Sequence, residues 1–283
     1  MKTFRLFTFA LSFMICFSCV RAEQKEMKAS EILSLVKKEK SVHVVDKIII
    51  GEVDFTEGCE PFILSVNMLQ CDIMSNIFFE NCVFMDKVTS NGKHGKTPVQ
   101  SRFMRNLLFN GCDFRGEVDF SDATVFGMVS FGRTVFREKA NFNNIAVWSK
   151  DSYFSEMKAE KTFSMVYSYF AGNLNFLDAA FDGNASFQEI TVTGKLSFKN
   201  SVFKDRAGFD MMTVSGNASF NYARFEKTAN FSWARFMGAA EFVNANFETQ
   251  PRFEKTLFLN KANFEGIDPD RLIIEDGRWI DYL

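Results

Sequence analysis

The stretch "GNASFNYARFEKTANFSWARFMGAAEFVNANF", Gly216 to Phe247, places Phe at 220, 225, 231, 236, 242 and 247. The steps run 5, 6, 5, 6, 5. An α-helix does not explain them. Residues five apart lie roughly 140° apart at about 3.6 residues per turn, so the rings would form two stripes. Asn, Gly, Ser and Thr are also abundant between them, and these are poor helix formers. A flat strand fails as well, because an odd step sends successive Phe to opposite faces. What fits is a chain that turns a corner after every five or six residues and aims one Phe inward from each short side.

The same spacing extends well beyond this stretch. From Phe170 it passes through 176, 181, 187, 192, 198, 203, 209, 214, 220, 225, 231, 236, 242, 247, 253, 258 and 264, all Phe except Val192 and Val214. Earlier it runs through Phe103, Phe109, Phe114, Phe120, Val125, Phe131, Phe136, Phe142 and Val147, with a weaker beginning near Val44, Ile50 and Phe55. Two positions before many of these stands Ala: Ala140, Ala185, Ala207, Ala218, Ala229, Ala240 and Ala262 among them. Four sides of 5, 6, 5 and 6 residues close a square coil of 22. Residues 22 apart then stack: Phe176 on Phe198 on Phe220, and Phe187 on Phe209 on Phe231. Neighbouring coils would lie about 4.8 Å apart, joined by parallel backbone hydrogen bonds. Self-similarity at a fixed period marks a repeat architecture.

"ANF" recurs at Ala140, Ala229, Ala245 and Ala262, and "AxF" or "SxF" fills many other steps. Over roughly residues 42–265 the chain resembles the pentapeptide-repeat family, in a paired variant where every second unit carries an extra residue. The departure is Phe where that family often has Leu. The resemblance implies an all-β fold, a right-handed quadrilateral parallel β-helix (a solenoid). It also raises DNA mimicry and topoisomerase inhibition as a role. Mimicry needs a continuous negative wall, whereas the positions before the repeat Phe mix Asp119, Arg224, Arg235, Glu241 and Arg252, so nucleic acid is not an expected partner.

Apolar residues are 47% and charged residues 24%, a globular rather than a disordered composition. Lys2 and Arg5, the apolar run Leu6 to Val20 and Val20-Arg21-Ala22 read as a signal peptide over residues 1–22. A lipid anchor on Cys19 is the rival reading, although Cys16-Phe17-Ser18 before it is a poor lipidation motif. Either way the protein is expected to be exported, to the periplasm or outside the cell. The mature chain shows no apolar run long enough to span a membrane. Without residues 1–22 it carries 30 basic against 35 acidic residues, a mild balance of −5.

"ASEILSLVKKEK" predicts a capping helix within residues 23–41, with Ser30 as its cap, Glu31 in its first turn and Ile32, Leu33 and Val36 on one face. It would cover the open first coil. "GIDPDRLIIEDGRWIDYL", within 266–283, breaks the spacing and reads as the cap of the other end. The spacing slips twice. Between Phe142 and Phe170 it is one residue long, in an irregular coil holding Trp148, Tyr153, Tyr167 and Tyr169. At about 88–102, "VTSNGKHGKTPVQSR" reads as a protruding basic loop, with Lys93, His94, Lys96 and Arg102. Cys71, Cys82 and Cys112 occupy small inner slots. Cys82 and Cys112 are 30 apart, one coil plus eight residues. If the loop absorbs those eight they stack, either as free core thiols or as a disulfide.

No catalytic signature, phosphate loop or metal-ligand spacing occurs, and no cofactor is expected. The leading reading is a non-enzymatic exported scaffold or interaction module whose partner is a protein or glycan of the cell envelope. A carbohydrate-binding or carbohydrate-active β-helix is the alternative. The candidate contact surface is the pair of interruptions: Lys93, His94, Lys96 and Arg102 on one, Trp148 and Tyr153 on the other.

Overall fold

A computed structural model describes residues 25–65, 67–268 and 272. Residues 1–22, read above as a signal peptide with Cys19 as the rival lipid site, and most of 266–283, read as the C-terminal cap, lie outside them. From Val42 to Asn263 the chain winds as a parallel β-solenoid with four walls. Wall 1 begins with β2 (Val42–Val45), wall 2 with β3 (Lys47–Ile50) and wall 3 with β4 (Val53–Asp54). Wall 4 begins with β5 (Phe62–Ser65) and β6 (Met68–Ile73). The walls hold 10, 10, 8 and 11 strands, paired parallel except at two places in wall 4. The register is 22 residues through the C-terminal coils, as in Ala180↔Val202↔Arg224↔Asn246.

Inside, the repeat Phe form stacked columns. Phe176 and Phe198 lie 4.8 Å apart at 4°, and Phe181 and Phe203 4.7 Å apart at 4°. Rings of neighbouring columns meet edge-on, as Phe209 and Phe220 do at 5.3 Å and 80°. Both arrangements suit the ring quadrupole. From Phe103 onward the Val of the repeat fall on wall 4 (Val125, Val147, Val192, Val214), so that column is slimmer than the other three. The small slots beside the columns are buried: Ala140, Ala185, Ala218 and Ala229 are at most 2% exposed. At Thr134, Ser168, Ser201 and Thr256 the slot hydroxyl donates to a carbonyl of the coil before. Thr134 bonds the Phe109 carbonyl at 2.6 Å and Ser201 that of Phe176 at 2.7 Å.

Two kinds of corner make the alternation of five and six. The five-residue corners are β-turns with a left-handed third residue. In Phe220-Asn221-Tyr222-Ala223 the Ala223 N–H donates to the Phe220 carbonyl at 3.0 Å, and Tyr222 has φ 59°. At the six-residue corner from wall 4 to wall 1, Gly172, Gly194, Gly216 and Gly238 stand above one another. A Cβ on any of them would collide with the backbone beneath. Their N–H groups climb the corner, Gly194 to Gly172 at 3.1 Å and Gly216 to Gly194 at 3.0 Å.

Several details differ from the sequence reading. In the first coil the inward residue is Ile49, fully buried, and Ile50 faces out at 38% exposure. The extra residue before Phe170 sits in a corner, not in a strand. Pairings are 22 apart from Arg102↔Thr124 to Thr124↔Ala146, 23 apart from Val129↔Ser152 to Ala146↔Tyr169, and 22 again at Asp151↔Asn173. The addition therefore falls between Val147 and Asp151, where a corner absorbs it without breaking a ladder.

The presumed loop at 88–102 is an ordered β-hairpin. Asn91–His94 pairs antiparallel with Thr97–Phe103, and Gly95 at φ 62° opens the two-residue turn. Its second strand then runs parallel to β6 as part of wall 4, with Val99 and Ser101 at 3% and 1% exposure. Only the tip protrudes.

At the N-terminus, β1 (Lys25–Lys28) pairs parallel with β3, so α1 (Ala29–Lys37) is shorter than the span 23–41. Ser30 lies inside the helix. Lys28 is the N-cap residue, and its N–H is taken by the Glu31 carboxylate at 3.1 Å. Ile32, Leu33 and Val36 are buried as expected, with Val36 against Gly58.

Cys82 and Cys112 do stack on adjacent coils, since Val83 pairs with Asp113, but they are free thiols. Cys82 acts as the slot hydroxyls do, its Sγ donating to the Val44 carbonyl at 3.5 Å as well as to that of Glu80 at 3.3 Å, whereas Cys112 Sγ donates within its own coil to Asn110 at 3.6 Å. Burial pushes both thiols up from their ordinary pKa. The bridge instead joins Cys59 and Cys71, with Cα atoms 5.8 Å apart.

Candidate functional site

On wall 4 the residue after each inward position begins the corner toward wall 1. Over four successive coils that residue is Met74, Met104, Phe126 and Trp148. Their N–H groups form one ladder: Met104 to Ile73, Phe126 to Phe103 and Trp148 to Val125, at 2.8 to 3.0 Å. Adjacent members are therefore about 4.8 Å apart, and the four span about 14 Å. Met74, Phe126 and Trp148 are 42%, 43% and 53% exposed. Trp148 rests against Tyr169, ring centroids 5.1 Å apart. On the next three coils the column turns small and polar, with Ala171, Thr193 and Ser215. The result is a Met and aromatic stripe on four levels of one edge, separated by these three levels from Met237 and Leu259, which are 46% and 53% exposed further along it.

Arg102 belongs to this stripe. Its Cζ lies 5.9 Å from the Phe126 ring centroid. Its guanidinium grips Asp72 in bidentate fashion, Nε to Oδ1 at 2.9 Å and Nη2 to Oδ2 at 2.6 Å. Burial works to raise the Asp72 pKa. The hydrogen bonds from Arg102 and Gln70 and the Arg102 charge outweigh it, and the carboxyl stays below its ordinary value. Arg102 is thus neutralised, not available as part of a basic loop. Lys93, His94 and Lys96 are exposed at the hairpin tip, before the wall-4 strand that ends at Phe103. Tyr153 lies on wall 1, paired with Ser130 and Asn175. Of the six candidate contact residues, the fold joins Arg102 and Trp148 through Phe126 and leaves the others apart. Met74, Met104 and Phe126 were missed. The signal for them was an apolar residue just after the inward one on consecutive coils.

The other walls offer different chemistry. The edge of wall 2 carries a ladder of alternating charge: Arg137 meets Asp113 at 2.7 Å, Lys158 meets Asp182 at 3.0 Å, Lys204 meets Asp182 at 2.7 Å and Arg224 meets Glu248 at 2.8 Å. Wall 3 has a groove of about 490 Å³ where Gly208 leaves the outward column without a side chain. Ser186, Gln188, Asp210 and Asn230 flank it, with Arg206 and Arg252 beyond. Gln188 Nε2 donates to both Asp210 oxygens, at 2.9 and 3.0 Å, and Asn230 Nδ2 to one at 3.2 Å. Among the described residues no three His, Cys, Asp or Glu lie close enough together to hold a metal ion. No described helix is long and apolar enough to cross a membrane.

A family model described as pentapeptide repeats (9 copies) matches residues 100–145 and 198–245. The match supports the repeat family for those two stretches of the solenoid. No curated protein and no solved structure matches the chain.

Proposed function

We propose that this pentapeptide-repeat solenoid is an exported, non-enzymatic scaffold that holds a partner protein of the cell envelope on the Met74–Met104–Phe126–Trp148 stripe. The observation that carries the reading is the exposure of three large apolar side chains in register on a rigid edge, set off by three small or polar levels from Met237 and Leu259 further along the same column. Aromatic residues and Met are the types enriched where proteins meet. The Asp72–Arg102 pair beside them is already satisfied, so covering it leaves no lone charge.

Export is supported by the basic, apolar and small-residue order of residues 1–22 and by the Cys59–Cys71 bridge, a bond that persists in oxidising compartments. N-terminal sequencing of the protein from its source cell should begin at Glu23. A form retaining Met1 speaks against export.

The binding reading is tested by Phe126→Ser with Trp148→Ser, compared with wild type after cross-linking in the source cell. Melting temperature should be unchanged and the cross-linked partner lost. Equal recovery from both proteins removes the stripe as the contact surface. Nucleic-acid mimicry is disfavoured by the mixed signs of the wall-2 ladder. A glycan in the Gly208 groove is the second reading, favoured by its polar lining. Gly208→Trp would fill the groove and abolish glycan retention while leaving the protein partner bound.

A further inference from the structure

Each wall of a solenoid ends in a strand with one unpaired edge, a template for another strand. At the N-terminal end three of the four edges are blunted. β1 closes wall 2 with Lys25, Glu26 and Lys28. α1 packs against β2 and β4, the terminal strands of walls 1 and 3. Wall 4 is different. Among the described residues its terminal strand, β5, pairs antiparallel with β6 on one side and ends the sheet on the other. Phe62, Ile63 and Leu64 are 45%, 78% and 52% exposed. No charged residue occurs between Glu60 and Asp72.

We infer that β5 is a self-association edge: a second copy of this chain pairs antiparallel with it across a two-fold axis at Ile63. The strand suits its own copy. Around Ile63 stand Phe62 on one side and Leu64 on the other, so the two-fold sets Ile63 against Ile63 and each Phe62 against a Leu64. That is the self-complementarity an isologous contact requires. The absence of charge removes the like-charge repulsion that a two-fold would otherwise impose. Pro61, which has no N–H to give, bounds the paired run at its start. Wall 4 then continues from one molecule into the other, and because the two-fold reverses the strand direction, the two stripes lie on opposite edges of the joined sheet.

Sedimentation velocity on the full exported chain, over a concentration series, tests this. Wild type should show a concentration-dependent dimer. Ile63→Lys puts two ammonium groups against each other at the axis and should give a monomer. Its melting temperature should match wild type, because Ile63 is 78% exposed, the most exposed large apolar side chain among the described residues. Ile63→Cys should form a reducible dimer under mild oxidation and Ile50→Cys should not, with wild type as control for the native thiols. A wild type that stays monomeric throughout overturns the inference. So does a dimer that survives Ile63→Lys, or equal cross-linking at positions 50 and 63.

Discussion

Phe163 stands where the pattern calls for a small residue. It pairs with Ala140 below and Ala185 above, both of them slot alanines. Two positions on its own coil compensate. Ala159 replaces the repeat Phe between Phe136 and Phe181, and Met165 stands two after Phe163. The Phe163 ring fills the space they leave, 5.4 Å from both Phe142 and Phe181. Truncating it therefore opens a cavity that neighbouring rings cannot close. Phe163→Ala should cost about 3–5 kcal/mol in urea unfolding, as large core truncations do. Ala159→Phe added to it restores the ordinary arrangement and should recover at least half of that loss, a coupling expected of residues that share one space. Single-mutant losses that simply add would show that the two sites do not share it. The regular columns could be read from the sequence because each repeat Phe faces the same surroundings. This exchange could not. The extra residue after Val147 shifts the count, so that Phe163 falls out of phase with its true neighbours.

The hairpin shows how an element can be found yet misjudged. Gly, Lys and Pro marked 88–102 as an interruption, and its eight extra residues do bring Cys82 above Cys112. Hidden in the composition was the apolar alternation Val99, Ser101, Phe103, which seats the second strand in wall 4. Hydrogen bonds tie down its base as well, Asn91 Nδ2 reaching the Ser121 carbonyl at 2.6 Å. Deleting Lys93, His94, Thr97 and Pro98 removes the two outer rungs and keeps the turn on Gly92↔Val99. Unfolding free energy should change by less than about 0.5 kcal/mol, as for surface changes elsewhere. Replacing residues 89–101 entirely should instead abolish the cooperative transition.

The Asp72–Arg102 pair joins this strand to β6. Because the folded Asp72 carboxyl titrates below its ordinary value, its contribution is present above about pH 4 and fades as pH falls through the folded pKa. Asp72→Asn should cost on the order of 1 kcal/mol at pH 7, a modest figure for a partly exposed pair. It should cost less at pH 3. A loss of equal size at both values would assign the effect to packing.

Across the whole molecule, the interior was legible and the surface was not. An inward column needs only residues 22 apart, whereas an exposed stripe needs to be known as one edge of one wall. Met74, Met104, Phe126 and Trp148 are spaced by 30, 22 and 22 residues, and only the hairpin's eight turn the first interval into one coil. Stability in such a stack is close to a sum over coils and the contacts between neighbours. Excising residues 194–215 brings Gly216 to the place of Gly194 and sets Phe220 on Phe176. The shortened protein should keep its circular dichroism signature, a lower melting temperature being the main change. Removing 21 residues instead should destroy the fold, because every outward side chain beyond the joint would turn inward.

The glycine column thus has a meaning for descent as well as for packing. A corner that accepts only hydrogen at four successive levels makes those levels interchangeable with one another. A gene encoding it can gain or lose one coil by unequal copying, and the protein grows or shrinks by whole storeys, its cap, stripe and N-terminal edge carried along unaltered.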